Sequence, residues 1–384
     1  MPKIQIRSEK LDRLEISWFA PICDGDDQYL GARDPRFKSS WANTSAIARR
    51  ADQLGFNNML CPSSYQVGQD TLTFAAGLAL QLKHMSLLAA IRCGEIHPPM
   101  LARTLATLDH MLEGRLTINI ISSNLPGLDE PSDARYRRSR EVIEILKQAW
   151  SKDEINFKGE YYNLHLGTAP VIPYQQNGGP LLYFGGYSPA GLDLCAEHCD
   201  VYLMWPDTEE KIKAHMLEMS KRAATYGRTV DFGLRVHVIV RESQSEAHQA
   251  AEMLMSKLDA AKGIDIKNRA QDAKSLGVAL QNELRDTADS DGYVEPHLWT
   301  RIGEARSGCG AAIVGDPDQV LAKIRRYQKM GIRSFIFSGY PHLDACDWFG
   351  KLVLPHLNVT KLAVKQGRIP TQVPNTPLGA GNRF

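Results

Sequence analysis

The chain has no dominant charge. Its 45 Lys and Arg are matched by 44 Asp and Glu, for a formal net charge of +1, so no general electrostatic pull toward nucleic acid or a membrane surface is expected, and any partner must be recognised locally. There is also no apolar run long enough to span a bilayer, and the opening Met1-Pro2-Lys3-Ile4-Gln5-Ile6-Arg7 has no apolar core of a secretory signal. A soluble, cytoplasmic protein is the expectation. Cysteine is sparse: seven residues without a repeated spacing do not make a disulfide framework, and the odd count fits a reducing compartment. Cys195, His198 and Cys199 share a helical face, but no neighbouring motif supplies a fourth ligand. They are read as part of an ordinary helix, and no metal is expected.

What the chain does have is alternation. Short apolar, β-rich runs at 14–19, 57–61, 85–91, 116–121, 180–184, 201–205, 232–240 and 334–337 are separated by helical patterns at 43–54, 100–112, 136–150, 190–198, 209–226 and 316–330. Parallel strands joined by crossover helices follow from that order, and eight of them favour an α/β fold of the (β/α)8 TIM-barrel type with insertions over an open sheet. The expected organisation is one domain over 1–365, with insertions at about 151–179 and 256–306. The second insertion is polar enough to be a lid. The Pro-, Gly- and Asn-rich stretch 366–384 is read as a frayed tail or an inter-subunit arm.

Chemistry-bearing residues cluster where these strands end. Arg235 and His237 lie two apart on an apolar strand, so they share a face, and burying a cation and an imidazole among Leu234, Val236 and Val238 requires a partner or a use. Ser338-Gly339-Tyr340-Pro341-His342 places a phenol and a second imidazole beyond the last strand, and Trp205 ends an earlier one. The C-terminal ends of barrel strands are where such enzymes react. Gly185-Gly186-Tyr187-Ser188-Pro189 reads as an anion cradle: glycines let backbone N–H groups converge, Ser188 can cap the next helix, and Pro189 suits its first position. The glycines of Gly308-Cys309-Gly310 are not preceded by a strand and are read as a loop entering a short strand at Ala311-Ala312-Ile313-Val314.

Trp18-Phe19-Ala20-Pro21 with Tyr29-Leu30-Gly31, Tyr183-Phe184-Gly185-Gly186, Arg235-Val236-His237-Val238-Ile239-Val240-Arg241-Glu242 and Ser338-Gly339-Tyr340-Pro341-His342-Leu343 resemble the signatures of the alkanesulfonate monooxygenases, within the bacterial luciferase-like flavin enzymes. The resemblance spans about 14–358. It implies a TIM barrel that takes reduced FMN (FMNH2) from a separate NAD(P)H-dependent flavin reductase. With O2 it would cleave the carbon–sulfur bond of an organosulfonate to sulfite and an aldehyde. A homo-oligomer, dimer or tetramer, is also implied. By motif match Trp205, Arg235, His237, Tyr340 and His342 would line the active site, with Arg306 on the lid. FMN would be held by Tyr136, Gly186, Tyr187 and Ser188 around its phosphate, with Asn119 and Ser122 toward its ring. The chemistry agrees, because a sulfonate spreads charge over three oxygens that a guanidinium fork matches.

Two departures bear on the substrate. Alkanesulfonate enzymes carry a histidine soon after the first strand and a cysteine after the second, whereas this chain has Asp24 and Asp26 in the first region and Ser63, Tyr65 and Gln66 in the second. Such groups suit a polyhydroxylated substrate, so a sulfosugar such as sulfoquinovose is favoured. A simple alkanesulfonate, or a non-sulfonate substrate of a luciferase-like flavin monooxygenase, stands as the alternative. A barrel without turnover is disfavoured because Tyr340 and His342 stand alongside Arg235 and His237.

Overall fold

The computed structural model describes residues 3–167, 172–259, 261, 263, 275–305, 309–372 and 374. Eight parallel strands close a barrel: β1 (Glu15–Phe19), β2 (Asn58–Cys61), β3 (Ser86–Arg92), β4 (Leu116–Ile121), β7 (Leu181–Gly185), β8 (Val201–Met204), β9 (Asp231–Val240) and β13 (Ile332–Ser338). They pair in chain order, and β13 shuts the ring between β9 and β1. Burial of β2, β3, β8, β9 and β13 along their whole lengths explains their continuous apolar sequence, since helices cover the outside and side chains fill the inside. Every strand expected from sequence is present within a residue or two of its limits.

Helices α1 (Trp41–Leu54), α3 (Pro98–Met111), α4 (Ser132–Ser151), α5 (Pro189–His198), α6 (Glu209–Thr225) and α9 (Pro317–Met330) fall where the sequence places them. Side chains of Ser40, Ser188, Thr208 and Asp316 cap four of these, and Gly55 and Gly331 terminate two in the left-handed conformation. Helices α2 (Thr71–Ala79), α7 (Gln244–Met255), α8 (Leu276–Asp286), α10 (His342–Leu352) and α11 (Leu362–Lys365) were not in the sequence reading. The first insertion opens with an antiparallel hairpin, β5 (Glu154–Lys158) and β6 (Asn163–Gly167).

Strand β9 is long enough to serve two neighbours on one edge. Its residues 231–234 pair with β8, and 237–240 pair with β12 (Ala312–Gly315), the short strand expected after Gly310. Arg235 thus stands just past the end of β8, at the barrel mouth. The short strands β10 (Tyr293–Glu295) and β11 (Leu298–Trp299) extend the sheet antiparallel from β12. The second insertion is therefore less loop-like than its polarity suggests: its stretch 275–305 holds α8, β10 and β11. Gln281 anchors α8 beside the mouth by donating to the Pro206 carbonyl (2.7 Å) and accepting from the Gly310 N–H (3.0 Å).

Buried carboxylates at the opposite end of the barrel are paired. Glu15 accepts from Tyr183 (2.5 Å), Ser334 (3.1 Å) and the Leu362 N–H (3.1 Å). Asp200 meets Arg7 and Arg368, each at 2.8 Å. These contacts tie the floor to the segment 362–368, whose Arg368 is buried, so the expected tail is anchored to the barrel at its start. No described helix is long and apolar enough to cross a membrane.

Candidate active site

At the mouth the pattern of charge reverses. Arg235 is 9% exposed, yet among the described residues no carboxylate lies in ion-pair range of it. Its guanidinium sits 4.5 Å from the centroid of Phe19 and makes one long hydrogen bond, 3.5 Å, to the Ile336 carbonyl. Burial pulls its pKa below the ordinary arginine value, because desolvation disfavours the charged form. Two residues on, His237 hydrogen-bonds through Nδ1 to the Ser338 hydroxyl (2.6 Å), and its Nε2 lies 3.2 Å from the Cys309 carbonyl. The alternation of β9 puts both side chains inside while Leu234, Val236 and Val238 join the main apolar core.

The aromatic side chains of this arc touch in sequence. Tyr340 packs on His237 (centroids 5.4 Å apart) and meets His342 edge-on (5.0 Å), and His342 lies 5.8 Å from Phe19. His342 does not lie on a loop. It is the first residue of α10 and is 1% exposed. Its Nδ1 and its backbone N–H both reach Asp26 Oδ1, each at 2.9 Å.

The neighbouring arc of the rim holds the other predicted residues. Tyr136, on α4, packs edge-on against Phe184 (6.2 Å). Its hydroxyl lies 2.9 Å from where a Cβ at Gly191 would stand and 3.5 Å from one at Gly186. Ser188 accepts the Gly191 N–H at 3.3 Å as the cap of α5, and the Gly186 carbonyl accepts from Tyr202 at 3.0 Å. The helix N-terminus, the phenol and two glycines therefore converge on one small space. Ser122 bonds Ser139 (2.7 Å), and Asn119 is half-buried on β4. Between the arcs stand Tyr187 and Trp205: the Tyr187 hydroxyl accepts the Trp205 backbone N–H at 2.7 Å, burial pushes its pKa up, and α8 covers both at Gly277. Arg306 lies outside the described residues.

Sequence reasoning missed Phe19 as the face beneath Arg235, Asp26 as the partner of His342, and Ser338 and Cys309 as the partners of His237. Phe19 stood in a quoted motif, but nothing local marks a ring as a cation platform. Of the polar groups read as substrate-facing, Tyr65 and Gln66 stand in solvent and Asp26 holds His342. Tyr65 is 66% exposed and Gln66 is exposed, because the chain after β2 runs out over the surface, and Asp26 is engaged by His342. Asp24 and Ser63 are half-buried.

The family model of the luciferase-like monooxygenases matches residues 14–334. Over 384 residues, the whole of both chains, the sequence is 55% identical to a sulfoquinovose monooxygenase of Agrobacterium fabrum. Over 351 residues it is 50% identical to a sulfoquinovose monooxygenase of Novosphingobium aromaticivorans, covering 90% of this chain and 97% of that one. Among solved structures, the oxygenating constituent of 3,6-diketocamphane monooxygenase from Pseudomonas putida, in complex with FMN, matches with a TM-score of 0.65 at 18% identity, covering 91% of this chain and 100% of that one. That last likeness is one of fold.

Proposed function

The chain belongs to the luciferase-like monooxygenase family, and from that premise we propose that it is a flavin-dependent monooxygenase that removes the sulfonate of a sulfosugar, of the sulfoquinovose type, as sulfite. Arg235 carries this reading: a buried guanidinium with no carboxylate beside it among the described residues, at the mouth of the barrel, is matched by an oxyanion with three equivalent oxygens. The sugar part rests on 55% and 50% identity, over all and 90% of this chain, to two proteins named for sulfoquinovose, since the exposed Tyr65 and Gln66 no longer argue for it.

FMN, taken reduced from a separate flavin reductase, is the proposed cofactor. When bound it supplies the electrons that let O2 react with the substrate. The space shared by Tyr136, Gly186, Ser188 and Gly191 suits its phosphate, because a Cβ at Gly191 would crowd the phenol oxygen and one at Gly186 would meet the Phe184 ring, and the N-terminus of α5 favours an anion. Ser122 and Asn119 would face the ring. Toward the sulfonate, Arg235 grips the oxygens and Arg306 is the proposed second guanidinium. His237 and Tyr340 orient the reacting end, while Phe19, Tyr187 and Trp205 exclude water, strengthening each polar contact within.

Ser188→Asp tests the phosphate site. Aspartate caps a helix about as well as serine, so the thermal midpoint should stay within about 2 °C. A carboxylate at that spot repels the phosphate, and FMN affinity should fall by at least ~10-fold, or about 1.4 kcal/mol, with riboflavin much less affected. Equal losses for the two flavins would move the phosphate elsewhere. The reaction itself is checked by supplying enzymatically reduced FMN, O2 and either sulfoquinovose or octanesulfonate and measuring sulfite. Sulfite from sulfoquinovose in clear preference is the expected outcome. No sulfite from any sulfonate rejects the reaction, and a preference for octanesulfonate rejects the sugar.

A further inference from the structure

Helix α10 begins without a cap of its own. Pro341, at the N-cap position, offers no side-chain acceptor to the first turn, which leaves backbone N–H groups that need a partner. Asp26 supplies it from a distant segment, the chain beyond β1, placing a carboxylate at the positive end of the helix. The same oxygen, Oδ1, also meets the His342 ring at Nδ1. An oxygen oriented by an amide N–H presents lone pairs to whatever lies beside it, so the hydrogen between Oδ1 and Nδ1 belongs to the ring nitrogen.

The other ends of this pair are unsatisfied. His342 Nε2 and Asp26 Oδ2 are both buried without a hydrogen-bond partner among the described residues, in residues 1% and 3% exposed. Their surroundings belong to the mouth. The imidazole is set between Phe19 and Tyr340, Phe19 carries the Arg235 guanidinium on its face, and Tyr340 packs on His237. A buried acceptor in such a place calls for a donor that arrives with a ligand.

We propose that Asp26 is a positioning residue that fixes His342 as the Nδ1–H tautomer, so that Nε2 faces the reaction chamber as an acceptor for a hydroxyl or a transferable proton of the bound ligand. A neutral His342 with its hydrogen on Nε2 would instead be a donor there, competing with Arg235 and Tyr340 for the same oxyanion rather than taking a proton. Asp26 thereby selects which of the two roles His342 performs. The proposal rests on the mouth being the reaction site, as argued above, but it concerns the ring itself and is testable without turnover.

Nitrogen-15 NMR of the histidine-labelled, ligand-free full chain reads the tautomer directly, with His342→Gln identifying the signal. The expected neutral ring carries its hydrogen on Nδ1, and an Nε2–H ring in the wild type overturns the proposal outright. Asp26→Leu removes the acceptor and should move the hydrogen to Nε2. With it, kcat for sulfite release should fall on the order of 10²-fold while KM stays within about threefold. Asp26→Asn retains an acceptor oxygen, so it should keep the Nδ1–H signal and more of kcat than the leucine variant. A folded Asp26→Leu protein that keeps either the Nδ1–H ring or wild-type kcat overturns the assignment. Should the leucine variant not fold, the wild-type spectrum and the asparagine variant decide. If wild-type enzyme releases no sulfite but shows Nδ1–H, the sulfonate reading fails and the tautomer assignment stands.

Discussion

Arg235→Met should reduce sulfite release by about 10²- to 10³-fold, the range for removing one preorganised oxyanion donor, and should raise the thermal midpoint of the ligand-free protein by a few degrees. The two effects have one cause. Among the described residues the buried Arg235 guanidinium has a ring face and one long carbonyl contact as its company, so the apo fold bears a desolvation cost that a methionine of similar length would not. In the proposed function a bound sulfonate would supply the missing charge. Relief of about 1 to 2 kcal/mol is expected, corresponding to a few degrees for a chain of this size. Activity assays and thermal unfolding on the same preparation check both parts. A variant that loses stability along with activity would show that Arg235 holds the barrel together, and its role as an anion anchor would fall. Arg235→Lys keeps the charge without the planar fork, and a large fall in turnover is expected there too.

Gly339→Val should be nearly as damaging for a different reason. Gly339 does not adopt a left-handed conformation, so no rule about backbone freedom marks it. What it lacks is room: a Cβ there would lie 2.5 Å from the Ala345 Cβ and 2.8 Å from the Val238 carbonyl oxygen. One neighbour belongs to α10 and the other to β9, and neither is the loose end of a flexible side chain. The turn must therefore shift, carrying Tyr340 and His342 away from His237 and Arg235. A loss of about 3 kcal/mol of stability, toward the upper end of what overpacking a core causes, should accompany a fall in kcat/KM of at least ~10²-fold, since displacements of about 1 Å have that effect on positioned groups. Wild-type activity with an unchanged unfolding midpoint would show that the turn relaxes freely and that the geometry around Tyr340 is unimportant.

Much of this molecule was legible in advance because parallel strands buried on both faces leave a strong mark. The run Phe232-Gly233-Leu234-Arg235-Val236-His237-Val238-Ile239-Val240 is apolar apart from two residues, and those two are the ones at the mouth. Helices opened by Ser188 or Asp316 announced themselves through their caps. Helix α10 did not: its start is capped by Asp26, more than three hundred residues away, and no local pattern encodes that. Helix α2, Thr71–Ala79, is apolar through most of its nine residues and has too little polar contrast to show a helical period. The strands β10 and β11 are three and two residues long and exist only because β12 offers them an edge.

The residues themselves determined that this is an eight-stranded α/β barrel with a cation and two imidazoles at one end, because alternation of apolar runs and the cost of burying charge are written in linear order. Which partner each group would find was decided by the closed ring. Bringing the chain after β1, the strand β9 and the turn after β13 to one rim gave Arg235 a ring instead of a carboxylate, gave His237 the Ser338 hydroxyl, and gave His342 the Asp26 carboxylate. The same closure sent Tyr65 and Gln66 out to water. Contacts across hundreds of residues depend on register and curvature, and a one-dimensional pattern carries neither.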